Sequence, residues 1–358
     1  MGHSNWKTDG SQSKFVVSLG NWFVDSSKDA GLKTSESMRF YAISTKFPEF
    51  TNKVLVSQFT VKHEQNLDCG GGYIKVLSGD FDQSSFGGET RYLVMFGPDI
   101  CGAERRTHLI LPYKGKNFLN NKKLSAETDT FTHQYTAIIN PDNTFKFLID
   151  NEEVDKGTLE EYWDILEPKE IADPDAKKPD DWVDEPTIDD KDDKKPEGWD
   201  DIPEFIIDEK ATKPEDWNDE EMAWEPPKIK NPEFKGEWKP KRIPNPNYKG
   251  SWTAPKIPNP KYQPDDNLYL MDKISGVGIE IWQVTAGTIF DNIFVGDDVE
   301  EAKAFSERTF KYRKEGEPEV KKIIDQEEEQ RRSEAEEHEE DSSLDFEDDI
   351  KDSSREDL

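Results

Sequence analysis

The sequence predicts a mainly β protein: an antiparallel β-sandwich with an inserted, extended, proline-rich hairpin arm and a C-terminal helix leading into an acidic tail. Three observations support this prediction. Short segments of alternating polarity, separated by turn residues, dominate residues 14–150 and resume after residue 265. Two proline-containing repeats occupy the stretch between them. Residues 315–358 are mostly charged residues and Ser.

The predicted strands of the sandwich are short apolar or alternating runs bounded by turn residues. They are residues 54–61, 72–77, 92–96, 136–139, 144–149, 279–284 and 288–295. Because the last two follow the repeats, we expect the arm to be an insertion into the sandwich. The predicted organisation is therefore residues 1–165 for the first part of the sandwich, 166–264 for the arm, 265–314 for its completion and 315–358 for the tail.

The arm contains two sets of three repeats. Lys-Pro-acid-x-Trp occurs at residues 178–182, 195–199 and 213–217, and Asn-Pro-x-aromatic occurs at residues 231–234, 245–248 and 259–262. Because three units match three, we expect the two halves to fold back as one hairpin that turns near residues 219–224. Each Trp would pack on the opposite unit, with Lys stems covering the rings. Acidic, Pro-rich repeats are more often disordered, but the regular Trp spacing argues for structure here.

A helix is predicted to follow Asp297 and Asp298, which suit an N-cap. The apolar residues after them form one helical stripe: Val299, Ala302, Phe305 and Tyr312. We expect this stripe to pack on the sandwich. Gly316 and Pro318 are expected to interrupt the helix, and a second helical stretch is expected from Val320 into the tail.

The charge balance limits the classes of partner. The chain has 358 residues with 78 acidic and 47 basic side chains, a net charge of −31. Such a chain repels nucleic acid and anionic membranes and attracts cations, although the charge of an acidic tail can also serve solubility alone. No apolar run approaches the roughly 20 residues that span a bilayer. Residues 1–6 contain no signal-peptide apolar region, and we expect a secretory leader to have been removed.

Cys69 and Cys101 are the two cysteines of the chain. A single disulfide between them is the favoured interpretation and implies an oxidising compartment; two unpaired thiols in a cytosolic protein are the alternative. The chain ends with residues 355–358, Arg-Glu-Asp-Leu, which are close to the Lys/His-Asp-Glu-Leu signal for retrieval to the endoplasmic reticulum (ER). Together these features predict the ER lumen.

Enzyme motifs are missing from the sequence. It has no Gly-x-Ser-x-Gly, no His-Glu-x-x-His, no Walker loop and no Cys-x-x-Cys. The run Gly70-Gly71-Gly72 lacks the Gly-Lys-Ser/Thr of a phosphate-binding loop, so a tight turn before the next strand is the better interpretation. We therefore expect a binding protein and no catalytic residues.

Five segments carry a specific resemblance to the calreticulin/calnexin family of ER lectin chaperones. They are residues 62–66 (Lys-His-Glu-Gln-Asn), 68–73 (Asp-Cys-Gly-Gly-Gly-Tyr), 95–102 (Met-Phe-Gly-Pro-Asp-Ile-Cys-Gly), 113–117 (Tyr-Lys-Gly-Lys-Asn) and 287–292 (Gly-Thr-Ile-Phe-Asp-Asn). Both repeats match the P-domain of that family, so the resemblance covers nearly the whole chain. It implies a legume-lectin-like sandwich that binds monoglucosylated high-mannose glycans on folding glycoproteins.

The resemblance also assigns the glycan contacts. They are Tyr73, Lys75, Tyr92, Met95, Asp99, Ile110, Glu280 and Trp282. Their chemistry is suitable: tyrosine rings cover sugar C–H faces, while Lys and carboxylate groups donate and accept strong hydrogen bonds. The family usually has Asp where Glu280 stands, which places the acceptor one methylene further out. A disulfide between Cys69 and Cys101 would preorganise two of the sugar-binding segments.

Calcium and protein partners are likewise implied by the resemblance. The family's structural calcium site corresponds to the Asp291 carboxylate and the backbone carbonyls of Lys28 and Ala30, whereas its N-terminal ligand and first strand have no counterpart here. The acidic tail corresponds to a low-affinity calcium store, diluted by basic residues. Glu221 and Trp224 correspond to the arm tip that recruits a thiol-disulfide isomerase or another foldase, through a shortened turn.

Two hypotheses about function follow. The first is a calcium-binding lectin chaperone of the ER lumen that recruits foldases through the arm tip. The alternative is mainly a calcium-buffering chaperone that binds polypeptide without recognising glycans. Calorimetry with a sugar ligand distinguishes them.

Overall fold

The structure is a computed structural model that describes residues 6–8, 13–214, 223–271 and 273–353, with side chains described as far as residue 335. The chain divides into two compact units. The first consists of residues 1–168 and 261–358, and the second consists of residues 169–260.

The first unit is a sandwich of two antiparallel sheets. Numbered in chain order, its strands are β1 (Phe15–Ser18), β2 (Gly31–Thr34), β3 (Arg39–Phe50), β4 (Leu55–His63), β5 (Cys69–Gly71), β6 (Ile74–Ser78), β7 (Val94–Cys101), β8 (Glu104–Tyr113), β9 (Lys116–Leu119), β10 (Leu124–Ser125), β11 (Thr132–Ile139), β12 (Thr144–Ile149), β13 (Glu152–Thr158), β20 (Ile274–Gln283) and β21 (Thr288–Gly296). The predicted antiparallel sandwich is therefore confirmed.

Each sheet contains a strand from beyond the second unit. The seven-stranded sheet has the order β1-β2-β21-β4-β11-β12-β13. The eight-stranded sheet has the order β10-β8-β7-β5-β20-β3, with β6 paired to β7 and β20 and β9 paired to β8. Because β20 and β21 lie inside the sheets, the sandwich is complete only when the chain returns from its insertion.

Aromatic side chains fill the space between the sheets. Phe96 of the eight-stranded sheet stacks on Phe147 of the seven-stranded sheet, with ring centroids 5.8 Å apart. Phe59 meets Phe96 edge-on at 6.0 Å, and both rings are buried. Burying each such ring stabilises the fold by roughly 1.5–3 kcal/mol. One face of each sheet therefore packs in this core, and the opposite face is turned away from it.

Asp298 is the N-cap of helix α2 (Val299–Thr309), as predicted, and the helix packs on the sandwich. The Asp298 carboxylate accepts hydrogen bonds from the backbone N–H groups of Glu300 and Glu301, at 2.8 and 3.0 Å. Ala302 packs with Val56 on the outer face of the seven-stranded sheet. A short helix, α1 (Leu159–Tyr162), follows β13.

Helix α3 (Lys311–Ser353) corrects the predicted helix boundary. The break falls at Phe310, and α3 then continues through Gly316 and Pro318 without interruption. An added Cβ at Gly316 would lie 2.8 Å from the Val24 side chain, so this glycine allows close packing against the sandwich. Tertiary contacts of the first turns of α3 outweigh the hydrogen bond that Pro318 removes. Among the described residues, no helix is long and apolar enough to cross a membrane.

The second unit is a nested hairpin, as the repeats predicted. Three antiparallel pairs succeed one another: β14 (Glu170–Ala172) with β19 (Lys256–Pro258), β15 (Thr187–Asp189) with β18 (Arg242–Pro244), and β16 (Phe205–Ile207) with β17 (Lys228–Lys230). The centre of each pair is Ile against Ile: Ile171–Ile257, Ile188–Ile243 and Ile206–Ile229. Each of these strand pairs, here called a rung, therefore repeats the same arrangement along the hairpin.

The repeat Trp residues join the two halves of the second unit. The Trp182 indole N–H donates to the Gly250 carbonyl at 2.8 Å, and Trp199 donates to the Gly236 carbonyl at 2.9 Å. Lys249 lies over the Trp182 ring, with its ammonium 5.8 Å from the centroid. The predicted covering of the rings by Lys is therefore present in this structure.

Candidate functional site

The outer face of the eight-stranded sheet carries most of the predicted site residues. Lys75 on β6 stands opposite Met95 on β7, and Met95 stands opposite Ile110 on β8. Directly opposed residues in antiparallel strands project to the same face. Their neighbours Ile74 and Phe96 are buried in the core, so the row containing Lys75 faces outward.

The remaining strand residues fall on the same face by the two-residue period of a β-strand. Asp99 is four positions beyond Met95 on β7. On β20, Gly278 pairs with Lys75, so Glu280 and Trp282 project from the same side as Lys75. Tyr73 lies in the link between β5 and β6, and Tyr92 lies two residues before the start of β7.

A buried ion pair lies at the centre of this face. The Lys75 ammonium donates to the Glu280 carboxylate at 2.7 Å, and the Lys75 side chain is only 4% exposed. The same ammonium lies 5.3 Å from the centroid of the Tyr92 ring. The pair fixes two groups that can respectively donate to and accept from hydroxyl groups of a ligand.

A small apolar cluster supports Tyr92. Its buried members are Ala42, Leu77, Phe81 and Phe86, and Tyr92 packs against them. Gly278 makes room for this cluster, because an added Cβ there would lie 2.3 Å from the Phe86 ring. The absence of a side chain at Gly278 therefore lets the aromatic cluster rest on the sheet beside the ion pair.

Both tyrosines remain protonated at neutral pH. Burial raises the pKa of Tyr73, and the nearby carboxylates of Glu280 and Asp99 raise it further. Burial also raises the pKa of Tyr92. Each hydroxyl can therefore both donate and accept a hydrogen bond, as recognition of a sugar hydroxyl requires.

Trp282 lies towards one end of the face. Its ring centroid is 4.7 Å from that of Phe40, and Phe40 is 56% exposed. The two rings, together with Met38 and Arg39, border a cavity of about 790 Å³. This end of the face therefore offers aromatic surface, whereas the centre offers charge.

His108 is a residue of this face that the sequence analysis missed. It stands opposite Gly97 on β7, and its Nε2 atom lies 3.3 Å from the Asp99 carboxylate without forming a hydrogen bond. Its position two residues before Ile110 on one strand was the available signal. Its buried ring therefore adds another polar group beside Asp99.

The predicted disulfide is confirmed. Cys69 on β5 and Cys101 on β7 stand directly opposite each other in the ladder and are covalently joined. Gly71 pairs with Asp99 in the same ladder. The bond therefore ties the strand that leads to Tyr73 to the strand that carries Asp99.

Two of the three residues expected to hold calcium, Lys28 and Asp291, already have another partner. The Arg313 guanidinium donates to the Lys28 carbonyl at 2.9 Å and to the Asp291 carboxylate at 2.7 Å. Ala30 borders a neighbouring cavity of about 460 Å³ together with Lys28 and Asp291. A cation brought to the Lys28 and Asp291 oxygens would meet the positive Arg313 group, so the residues present do not fit a calcium ion there.

The other predicted contacts lie largely beyond the described residues. Glu221 is outside them, and Trp224 is half-buried in the second unit. The side chains of the tail are described only as far as residue 335, and those of α3 from residue 327 to that point are exposed. Across the described part of the chain, no group of three or more His, Cys, Asp or Glu side chains is placed to hold a metal ion.

A β-sandwich with a polar, aromatic outer face, a disulfide beside that face and an inserted hairpin of repeats defines a chaperone of the calreticulin type. The Calreticulin family model matches residues 4–223 and 222–295, so the chain belongs to the calreticulin family. Homologues in this family are calcium-binding chaperones.

Named relatives extend over most of the chain. Calreticulin of Dictyostelium discoideum is 54% identical over 327 residues, covering 90% of this chain and 76% of that protein. Calreticulin of Euglena gracilis is 57% identical over 311 residues, covering 86% and 77%. The solved globular domain of T. cruzi calreticulin superposes with a TM-score of 0.65 at 32% identity, covering 91% of this chain and 96% of that one.

Proposed function

We propose that this chain is a lectin chaperone of the ER lumen that binds monoglucosylated N-glycans on folding glycoproteins. The observation that carries the proposal is the Lys75–Glu280 ion pair beside the Tyr92 ring, on the outer face of the eight-stranded sheet. Membership of the calreticulin family supports it. The proposed role is binding without chemical conversion of the ligand.

The chemistry of the face suits a neutral, hydroxyl-rich ligand. Tyrosine rings can cover the C–H faces of a sugar, while their protonated hydroxyls exchange hydrogen bonds with it. Asp99 and Glu280 supply charged acceptors, and Lys75 supplies the charged donor. Met95 and Ile110 supply apolar contact area between these groups. The disulfide beside Asp99 lowers the ordering cost of binding.

The arm and the tail supply two further proposed interactions. Glu221 and Trp224 are proposed contacts for a thiol-disulfide isomerase or another foldase at the arm tip, because Trp is enriched among the hot spots of protein interfaces. The acidic tail is proposed to bind calcium weakly at multiple positions through its carboxylates. Residues 355–358 are proposed to retain the protein in the ER lumen.

Calorimetric titration with a monoglucosylated tetrasaccharide, Glc1Man3, tests the lectin proposal. The wild-type chain should bind one sugar per chain. Tyr92→Ala and Asp99→Ala should each abolish the binding heat, whereas Tyr248→Ala, on the second unit, should bind as the wild type does. Unchanged binding by both site variants would remove the assignment of the site.

The glycan-independent hypothesis gives a different result in the same experiment. A chaperone that mainly buffers calcium would show no sugar heat while calcium still produced the heat of multiple weak sites. Suppression of aggregation can then be compared for a glycosylated and a deglycosylated client. Protection of only the monoglucosylated client supports the lectin proposal, and equal protection of both clients supports the alternative.

A further inference from the structure

Arg313 lies at the position where the family resemblance placed a structural calcium ion. It belongs to the first turn of α3, and its side chain is only 4% exposed. Its Nη2 atom donates to the Lys28 carbonyl and the Asp291 carboxylate, and its Nε atom donates to the Asp29 carboxylate at 3.0 Å. One guanidinium thus binds a loop carbonyl and two carboxylates from separate parts of the sandwich.

We propose that Arg313 is a built-in substitute for the structural cation, so that this chain joins the Lys28 loop to β21 without a divalent ion. Calcium requires six to eight oxygen ligands at roughly 2.3–2.6 Å. Here the oxygens of Lys28 and Asp291 lie at hydrogen-bond distances of 2.9 and 2.7 Å from nitrogen. An ion and the guanidinium cannot share the same oxygens, because the two cations would repel each other.

The hydrogen bonds around Asp29 favour the Arg313 guanidinium over a divalent ion at this position. Asp29 accepts hydrogen bonds from the Tyr312 hydroxyl at 2.5 Å and from the backbone N–H groups of Val24 and Asp25 at 2.8 and 3.0 Å. The carboxylate oxygens are therefore committed to donors of the chain itself.

Besides Arg313, helix α3 carries a second buried charged residue. Glu317 follows four residues later on the same face of the helix and accepts hydrogen bonds from the Thr132 N–H and hydroxyl at 2.8 and 2.6 Å. The Lys62 ammonium lies 3.4 Å from the Glu317 carboxylate. The continuation of α3 through Gly316 is what allows both charges to enter the sandwich from one helix.

A consequence concerns the role of calcium. If Arg313 supplies the positive charge, the stability of the sandwich does not depend on calcium at this position. Calcium bound by the acidic tail would then be independent of the folding of the sandwich. Truncating Arg313 should reverse this arrangement: the Asp29 and Asp291 carboxylates and the Lys28 carbonyl would remain beside open space, as a set of hard oxygen ligands.

Thermal unfolding of the full chain in EDTA and in millimolar CaCl₂ tests the proposal, using wild type, Arg313→Ala, Arg313→Ala/Asp291→Asn and the exposed control Arg332→Ala. In EDTA, Arg313→Ala should lower the Tm by on the order of 10 °C, because the buried Asp29 carboxylate and the half-buried Asp291 carboxylate lose their cation. Calcium should restore part of this loss in Arg313→Ala and none of it in the double variant. The arm is unchanged in all variants, and the tail is unchanged in wild type, Arg313→Ala and Arg313→Ala/Asp291→Asn, so their calcium binding cancels in the comparison of these three proteins.

Terbium luminescence gives an independent readout, because Tyr312 contacts Asp29 and can sensitise an ion bound beside it. The emission of Arg313→Ala should exceed that of the wild type and of the double variant. Absence of any calcium-dependent recovery and of added emission in Arg313→Ala would overturn the proposal. If Arg313→Ala does not fold, the wild type is compared with Asp291→Asn. A calcium-dependent rise in the Tm of the wild type that is absent in Asp291→Asn would show that an ion displaces Arg313, against the proposal. Equal calcium-dependent Tm shifts in the two proteins support the proposal that Arg313 replaces the cation.

Discussion

The Lys75 ammonium and the Glu280 carboxylate meet at 2.7 Å across the adjacent strands β6 and β20, although 205 positions separate the two residues in sequence. The Lys75 side chain is buried, with 4% exposure, and the Glu280 side chain is largely buried, with 14% exposure. A buried ion pair contributes little net stability relative to apolar residues, yet it is costly to break on one side only. Its retention at the centre of the candidate face is consistent with a role in binding.

Glu280→Gln should separate stability from binding. Removing the charge leaves the buried Lys75 ammonium without its carboxylate, so the free energy of unfolding should fall by about 3 kcal/mol. The double variant Lys75→Met/Glu280→Gln should recover much of this loss, because no unpaired charge remains. Urea denaturation measures both variants.

The same variants test the site assignment by titration with Glc1Man3. Neither should bind the sugar, although the double variant is nearly as stable as the wild type. Sugar binding by the double variant with wild-type affinity would show that Lys75 and Glu280 are structural residues outside the binding site.

Replacing both cysteines with Ser should weaken folding and binding together. The Cys69–Cys101 bond has a sequence separation of 32 residues. A bond closing a loop of this length stabilises the folded state by roughly 3–4 kcal/mol in the chain-entropy model. Because Tyr73 and Asp99 lie on the two tethered segments, the affinity for Glc1Man3 should also fall.

The control for this prediction is temperature. Titration is performed where circular dichroism shows that the Ser variant is fully folded, so that a lower affinity reflects loss of preorganisation. An unchanged affinity under those conditions would mean that the disulfide stabilises the sandwich without organising the site.

Trp199→Phe should loosen the second unit locally. Phe keeps an aromatic face beneath Lys235, whose ammonium lies 5.9 Å from the Trp199 centroid, but it cannot donate to the Gly236 carbonyl. Loss of one hydrogen bond worth about 1 kcal/mol should accelerate amide exchange roughly fivefold in the neighbouring rungs β15–β18 and β16–β17.

The rung that contains Ile171 and Ile257 serves as the internal control. Because units of a repeat structure contact only their neighbours, its exchange rate should be unchanged. Equal acceleration in all three rungs would show that the hairpin opens as one cooperative unit.

Local periodicity is the part of the fold that the sequence predicts well. Alternating apolar residues bounded by turn residues identify β12 with its observed bounds, Thr144–Ile149. Matching numbers of repeats likewise predict the nested rungs. The boundary between α2 and α3 is predicted wrongly. Arg313 and Glu317 are anchored by residues distant in sequence, and local helix-breaking signals cannot reveal those contacts.

The candidate site, too, is predicted only in part from the sequence. The two-residue period predicts that Glu280 and Trp282 share a face, and the family resemblance identifies them as candidates. Sequence cannot predict that Lys75 pairs with Glu280, because the register of β6 against β20 is set by the assembled sheet. For the same reason, the contact between Arg313 and Asp291 becomes visible only when α3 is docked.

His133 should make the stability of the sandwich depend on pH in the alkaline range. Its imidazole nitrogens lie 2.9 Å from the Asp150 carboxylate and 2.8 Å from that of Asp129, while Lys314 of α3 contacts Asp150 at 3.4 Å. Burial opposes the charged form, but the two carboxylates raise the pKa of His133 from 6.5 to about 9. The folded state therefore binds a proton more tightly than the unfolded state does.

The sign of the effect follows from this difference. Stabilisation by protonated His133 is complete below about pH 6.5 and is lost as the pH rises through about 9, a change on the order of 3 kcal/mol. Urea denaturation at pH 6 and pH 9.5 should show this loss in the wild type, whereas His133→Gln should lose correspondingly less over the same interval. Burial opposes the charged form of Asp150, but the His133 hydrogen bond and charge hold its pKa below the usual value, so Asp150 adds no slope of its own in this interval. Parallel pH profiles for the two proteins would show that the proton on His133 contributes nothing to folding.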